Sequence, residues 1–451
     1  MNVVKREKSI CIAIFVVTAV VLSLLVLVLS VESLRDYAER QKSVRDADAM
    51  TVEANESYHV TNSDSVVDII DASINRLLRR EGLKGGASVA ISKSGRLVYA
   101  RGIGYSDVED SIEMKPYTVM RVASVSKLIT AVAVMKLVER GRISLHQKVF
   151  GPTGVLNDDK YIAYKDKRMG DVTVYELLNH SGGWSIRYGD PMFMPQSIAR
   201  QMGKDLPISM EDIIRFMQTK SMHFKPGSAS VYCNFGYGIL GEIVAKCSGM
   251  PYEDFVRSEV LAPLGIYDMQ IGRSRKAERF ENEAIYYEAD TSHVAFDYTD
   301  SDVMVRRSYG GTDIQTLGAA GGWVASATDL LKLALTIDGF DFVPDQLSRL
   351  SVDTMVNRKE GFDPLGWRTT IGSSWYRSGT LAATSAMIAR KPDSLCYVVL
   401  LNCSNHKGPR LASEIRSVMD QAVAKVGEWP DVDLWAEDKQ WNEYKNKEMG
   451  R

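Results

Sequence analysis

Strand-like sequence in this chain is confined to two regions far apart, with helix-like sequence between them, and few architectures accommodate that arrangement. Toward the N-terminal side, "GASVAISKSG" and "RLVYARGIGYSD" read as two strands separated by a Lys-Ser-Gly turn. After Gly366 come four more: "WRTTIG", "SWYRSGT", "ATSAMIARKP" and "LCYVVLLNC". A helix precedes the first pair, "VVDIIDASINRLLRREG", with apolar residues at three-to-four spacing and a stop at Gly82. Another, "GPRLASEIRSVMDQAVAKVG", follows the last strand. From about residue 116 to 350 the pattern is mostly helical. Clear helices are Ser124–Arg140, "GYGILGEIVAKCSG" and "SATDLLKLALTIDG", the last with Ser326 as its N-cap. The pattern predicts one sheet assembled from both ends of the chain, with the helical middle inserted and facing it. A cleft is expected where the insertion meets the sheet.

The first residues follow a different logic. From Ser9 to Val31, "SICIAIFVVTAVVLSLLVLVLSV" carries no charge and is long enough to cross ~30 Å of hydrocarbon as a helix. Lys5, Arg6 and Lys8 precede it, while Glu32, Arg35 and Asp36 follow. That asymmetry keeps residues 1–8 cytoplasmic and sends the remainder across. A cleaved signal peptide is the competing reading, disfavoured by the length of the run and the lack of an Ala-x-Ala exit. Residues 32–66 are polar and read as a stalk. The main domain is expected over 67–428, with 116–350 as the insertion, and 429–451 as a polar tail. Its place is then outside the cytoplasm, periplasmic in a Gram-negative cell.

Composition narrows the chemistry. The 451 residues are 45% hydrophobic, enough for a full core, and a formal net charge of -2 argues against nucleic acid as a partner. The five cysteines form no Cys-x-x-Cys pair and no zinc spacing. The six histidines show no His-Glu-x-x-His pattern, so neither a metal nor another cofactor is called for. Oligomeric state is not legible.

Two Ser-x-x-Lys stretches remain. In "RVASVSKLIT", Ser124 stands at a helix start, where partial positive charge and free N–H groups favour a developing anion. Lys127 lies one turn later on the same face, its amine within reach of the hydroxyl. As a base that amine must be neutral, well below the usual value of about 10.4. Ser404-Asn405-His406-Lys407 has the same spacing but follows a strand and runs into Gly-Pro, so it reads as an exposed turn. Downstream of Ser124, "HFKPGSASVYCNFGYGILGEIVAKCSG" holds Tyr232-x-Asn234: a tyrosine able to shuttle a proton and an amide able to hold a carbonyl. Tyr444-Lys445-Asn446 matches the same pattern by accident. "WYRSGTLAATSAMIARKPDSLCYVVLLN" then supplies a Ser-Gly-Thr strand.

In that order, Ser124-x-x-Lys127, Tyr232-x-Asn234 and Arg377-Ser378-Gly379 resemble the penicillin-recognising serine hydrolases: class C β-lactamases, low-molecular-weight D,D-peptidases and their esterase relatives. "VTVYELLNHSGGW", "LAPLGIYDMQIG" and "AAGGWVASATDL" carry the likeness between the motifs, from about residue 68 to 425. The resemblance implies an α/β (α+β) fold with an antiparallel sheet and flanking helices. It implies Ser124 as nucleophile of an acyl-enzyme, Lys127 and Tyr232 as proton carriers, and Asn234 as a substrate contact. The backbone N–H groups of Ser124 and Thr380 become the oxyanion hole, with Ser378 and Gly379 in the substrate strand. One residue departs from the family. Where Lys or His is usual, this chain has Arg377, which stays protonated but can grip a carboxylate with two hydrogen bonds. The expected partner is a small-molecule or peptide ester or amide bearing a carboxylate. Acyl transfer to a hydroxyl or amine acceptor is one alternative, and a weakly catalytic penicillin-binding sensor or scaffold is another.

Overall fold

A computed structural model describes residues 64–290 and 294–448. The expected membrane segment and the stalk as far as residue 63 lie outside the described residues. No helix among the described residues is long and apolar enough to cross a membrane.

The domain opens with helix α1, Asp64–Arg80, and ends that helix near Gly82 at φ +63°. Strands β1 (Gly86–Lys93) and β2 (Arg96–Asp107) form a hairpin, with a short β3 (Ile112–Glu113) beyond it. The hairpin turn is tight because Ser94 and Gly95 both take positive φ. The second group of strands follows more than two hundred residues later: β4 (Thr369–Ile371), β5 (Ser374–Leu381), β6 (Thr384–Arg390) and β7 (Leu395–Leu401). Together they make a seven-stranded sheet in the order β4-β5-β6-β7-β1-β2-β3. β1 pairs antiparallel with β7, from Ala87 opposite Leu401 to Lys93 opposite Leu395. The expectation of one sheet built from both ends of the chain therefore holds.

Strand residues point alternately to the two faces, and in this sheet both faces are covered. Val89, Ile91, Val399 and Leu401 meet α1 and helix α5 (Pro409–Val423), which present Ile70, Ile74, Ile415 and Met419. Ala90, Val398 and Leu400 meet the inserted helices. This double burial explains why "LCYVVLLNC" is apolar throughout instead of alternating.

Within the insertion, helix α2 (Ser126–Glu139) is buried on nearly every side, as a helix apolar all round must be. Helix α3 (Asn234–Ser248) and α4 (Ala327–Leu335) pack in the same core, and Ser326 caps α4 by accepting from the Asp329 N–H. The insertion is less purely helical than expected. Met120–Arg121 and Gln270–Ile271 flank Trp323–Ala325 in a small sheet, and Val294–Asp297 pairs with Asp300–Arg306. The strands of the small sheet, two or three residues each, are too short to leave a periodic signature.

The expected polar tail is a packed part of the domain. Trp435 and Trp441 are fully buried, edge to face at 5.2 Å, and join the core that contains α2 and α4. Leu434 donates its N–H to the Leu97 carbonyl of β2, and the buried Lys332 pairs with Asp438 at 2.6 Å. Helix α6 (Lys439–Glu448) follows, with the Tyr444 hydroxyl on the Pro344 carbonyl. Charged residues outnumber apolar ones here, so hydropathy hid two tryptophans that act as plugs. Trp441→Ala should lower the free energy of unfolding by about 3–5 kcal/mol, the usual cost of emptying a buried aromatic site. Denaturant titration of the two proteins measures it.

Candidate active site

Ser124 sits in a tight turn, Ala123–Val125, that runs directly into α2. Ala123 adopts φ +48°, a left-handed conformation that a residue with a Cβ rarely takes unless its surroundings enforce it. Here they do. The Val122 N–H donates to the Trp323 carbonyl, the Ser126 hydroxyl donates to the Ala123 carbonyl at 2.7 Å, and Trp323 N–H donates back to Ser126 Oγ. Ser126, the second serine of Ser-Val-Ser-Lys, pins the turn that displays Ser124.

Lys127 is fully buried, and its Nζ donates to Ser124 Oγ at 3.2 Å, to Asn234 Oδ1 at 2.6 Å and to the Ala320 carbonyl. Burial pushes this ammonium below the ordinary lysine range, and the Arg377 cation pushes the same way against Tyr232 and Asp190. Tyr232 Oη lies 2.7 Å from Ser124 Oγ. Burial alone would raise its pKa, but the Lys127 and Arg377 cations outweigh burial and bring the phenol below its usual value. Both groups beside the Ser124 hydroxyl are thus moved toward neutral pH, by one mutual arrangement. Ser124 and Tyr232 remain partly exposed, so the reacting edge is open while the lysine beneath it is dry.

β5 passes alongside this turn. A Cβ at Gly379 would sit 2.1 Å from the Val122 carbonyl and 3.0 Å from the Ser124 nitrogen, so only glycine allows the approach. Leu381 opposite Thr384 closes the β5–β6 hairpin around Ala382 and Ala383. In a two-residue hairpin that pair is the hydrogen-bonded one, so the next, Thr380 opposite Ser385, turns its N–H away from β6. It faces the edge that β4 leaves uncovered, beside Ser124. Ser378 and Thr380 line the same cleft of about 350 Å³.

Two expected substrate contacts are occupied differently. Arg377 is 1% exposed, and its Nε donates to the Ser124 carbonyl at 2.7 Å. Its Nη1 and Nη2 are buried without a hydrogen-bond partner among the described residues. Arg377 therefore grips the Ser124 backbone and charges the floor of the cleft. Asn234, beyond holding Lys127, gives its Nδ2 to Asp190 Oδ2 at 2.6 Å.

Asp190 escaped the sequence reading, as did Arg368. Arg368 lines the cleft with its side chain 44% exposed, its guanidinium 5.3 Å from the Tyr232 ring and paired with Asp363. Neither residue stands in a spacing that relates it to Ser124; both arrive through the fold. His180, read as part of a structural loop, packs its ring 4.6 Å from that of Tyr232. Burial, with the Arg377 and Lys127 cations, holds it neutral, well below its ordinary pKa. The second Ser-x-x-Lys is not a site: Ser404 Oγ accepts from the Ala383 N–H, and Lys407 pairs with Glu81 at 2.7 Å.

Comparison with known proteins places the chain among relatives. Penicillin-binding protein 4* of Bacillus subtilis (strain 168) is 26% identical over 206 residues, 45% of this chain and 42% of that protein. Esterase EstB of Burkholderia gladioli is 29% identical over 220 residues, 47% of this chain and 53% of that protein. The chain thus spans about half the length of the curated relatives it matches. Among solved structures, the octameric penicillin-binding protein homologue from Pyrococcus abyssi covers 82% of this chain, which covers 79% of it, at 26% identity and a TM-score of 0.59. The family model described as Beta-lactamase matches residues 74–420, a span that includes Ser124, Lys127, Tyr232, Asn234 and Arg377. The chain belongs to the beta-lactamase family.

Proposed function

We propose that this protein is a serine hydrolase that cleaves an ester or amide through an acyl-enzyme on Ser124. The observation that carries the reading is the joint approach of Tyr232 Oη and Lys127 Nζ to Ser124 Oγ, at 2.7 and 3.2 Å, with the lysine buried. In this scheme Ser124 Oγ attacks the substrate carbonyl while its proton passes to the Tyr232–Lys127 pair. The carbonyl oxygen, now negative, lies between the backbone N–H groups of Ser124 and Thr380. Collapse expels the alcohol or amine, which takes the proton back. Water then attacks the acyl-enzyme and gives a proton to the same pair, which returns it to Ser124 Oγ as the acid leaves.

The substrate in this reading carries a carboxylate, and two arginines divide the work. Arg377 supplies a permanent positive field from beneath, because a guanidinium does not deprotonate in proteins. Arg368, at the open side of the cleft, is the group a substrate carboxylate reaches. Ile186, Phe193 and Leu381, which line the same cleft, offer apolar surface. The uncharged run Ser9–Val31, with basic residues before it, supports a membrane-anchored protein acting outside the cytoplasm.

Incubation with activated esters or β-lactams should add an acyl mass to the 451-residue chain. Ser124→Ala should show no adduct and lose about 10³-fold or more in turnover; hydrolysis at the parental rate would remove Ser124 from the mechanism. Gly379→Ala forces β5 off the nucleophile turn, so kcat should fall about 10²–10³-fold, as when one oxyanion donor is lost, while circular dichroism keeps its shape. For Arg368→Gln, kcat/KM on carboxylate-bearing esters should drop at least about tenfold relative to neutral esters of the same leaving group. An unchanged ratio would assign carboxylate recognition elsewhere.

A further inference from the structure

Asn234 has two chemically different ends, and only one orientation of its amide serves the lysine. With Oδ1 toward Lys127 Nζ, at 2.6 Å, and toward the Tyr232 hydroxyl, at 3.3 Å, the amide accepts from both proton carriers. Turned over, it would set N–H groups against the lysine's own donors and leave them unsatisfied in a buried space. What decides between the two is the group at the other end. Asp190 as a carboxylate is an acceptor only, and it takes Asn234 Nδ2 at 2.6 Å. We infer that Asp190 is a positioning residue of the acyl-enzyme machinery, fixing the Asn234 amide and through it the Lys127 amine. The inference rests on the acyl-enzyme reading above.

Both oxygens of Asp190 are committed. Oδ1 accepts from the Met192 N–H at 3.1 Å, which caps the turn Pro191–Phe193, and Oδ2 takes Asn234. The segment that carries it is held at its start, where Ser185 donates its N–H to His223 Nδ1 at 2.8 Å and the Tyr188 ring packs on His223 at 4.4 Å. Gly189, at φ +97°, then turns the chain so that Asp190 faces inward. Ile186 and Phe193, on either side of Asp190, line the cleft. One stretch of chain thus shapes the substrate wall on its outer side and orients the proton machinery on its inner side.

Charge adds a second, separable effect. The ionisable groups that face Lys127 are Tyr232 from the segment entering α3, Tyr237 on α3 with its ring 5.5 Å from Nζ and kept protonated by burial, Arg377 from β5, and Asp190, with the neutral His180 behind Tyr232. Of these, Arg377 lowers the lysine's pKa, while Tyr232 and Asp190 raise it. Removing the Asp190 charge therefore lowers the Lys127 pKa further. The acidic limb of the pH–rate profile, where the lysine must lose its proton to act as base, moves to lower pH.

The test uses two variants of the 451-residue chain. Asp190→Ala frees the Asn234 amide and should lower kcat about tenfold or more, with KM within about threefold. Asp190→Asn is isosteric and keeps one acceptor oxygen in place of two, so its loss should be smaller. In both, the acidic limb of kcat/KM should shift toward lower pH. Should the alanine variant fail to fold, as judged by thermal melting, the asparagine variant carries the test alone. Unchanged kcat with an unmoved limb would overturn the inference. So would a fall in kcat with the limb unmoved, which would reduce Asp190 to the cap of the Met192 turn. Ser124→Ala, run beside them, keeps the two claims apart: activity surviving there refutes the acyl-enzyme reading itself, whatever the Asp190 variants do.

Discussion

The antiparallel ladder between Gly86–Lys93 and Leu395–Leu401 is the contact on which the rest of this domain depends. It closes a chain segment of about three hundred residues, and the entropy of that closure grows only with the logarithm of loop length. Burying both faces of the sheet offsets it: Val89 and Val399 lie against one helical layer, Ala90 and Val398 against the other. Once β7 is in register, β6 and β5 follow by short hairpins, and β5 is carried to the turn that displays Ser124. The distance between Gly379 and Val122 is therefore set by pairing in the middle of the sheet. A nucleophile on the insertion and a strand from the C-terminal half can meet only because the sheet joins the two ends of the domain.

Around Tyr232 the domain gathers three cations, with Lys127 Nζ 5.0 Å, Arg368 5.3 Å and Arg377 6.0 Å from the centre of its ring. Such a concentration of like charge in a poorly hydrated place is unfavourable for folding. Its partial neutralisation by Asp363 on one side and Asp190 on the other is uneven, because neither carboxylate touches Arg377. The guanidinium, without a carboxylate partner, lowers the pKa of the tyrosine and of the lysine alike. An arginine in this place makes that field independent of pH, which a lysine or histidine would not.

The sequence made much of this legible, for reasons that differ from element to element. Strands buried on both faces appear as continuous apolar runs, so "ASVAIS" and "LCYVVLLNC" could be recognised without knowing their partners. Ser326 declared a helix start because capping is local. Ser124 and Lys127 are one helical turn apart, and the apolar run that follows them marks the helix start that brings them together. Asp190 and Arg368 were not legible, because each reaches the site across the fold and their neighbours in sequence say nothing of it. The buried state of Arg377 was likewise hidden: its motif position gave the charge but not its depth. The tail misled for the opposite reason. Its composition is polar, yet two tryptophans are enough to seal the edge of a core.

The packing of Trp435 and Trp441 has a consequence for the order in which the molecule comes into being. Ser124 and Lys127 are synthesised early, but the strand that completes the oxyanion site follows some 250 residues later, and the aromatic seal later still. Native contacts so distant in sequence form late and together. While the chain is being made, the Ser124 hydroxyl lacks the packing that buries Lys127 and the strand that brings Gly379 beside it. The surroundings of the Ser124 hydroxyl are thus completed only in the finished fold.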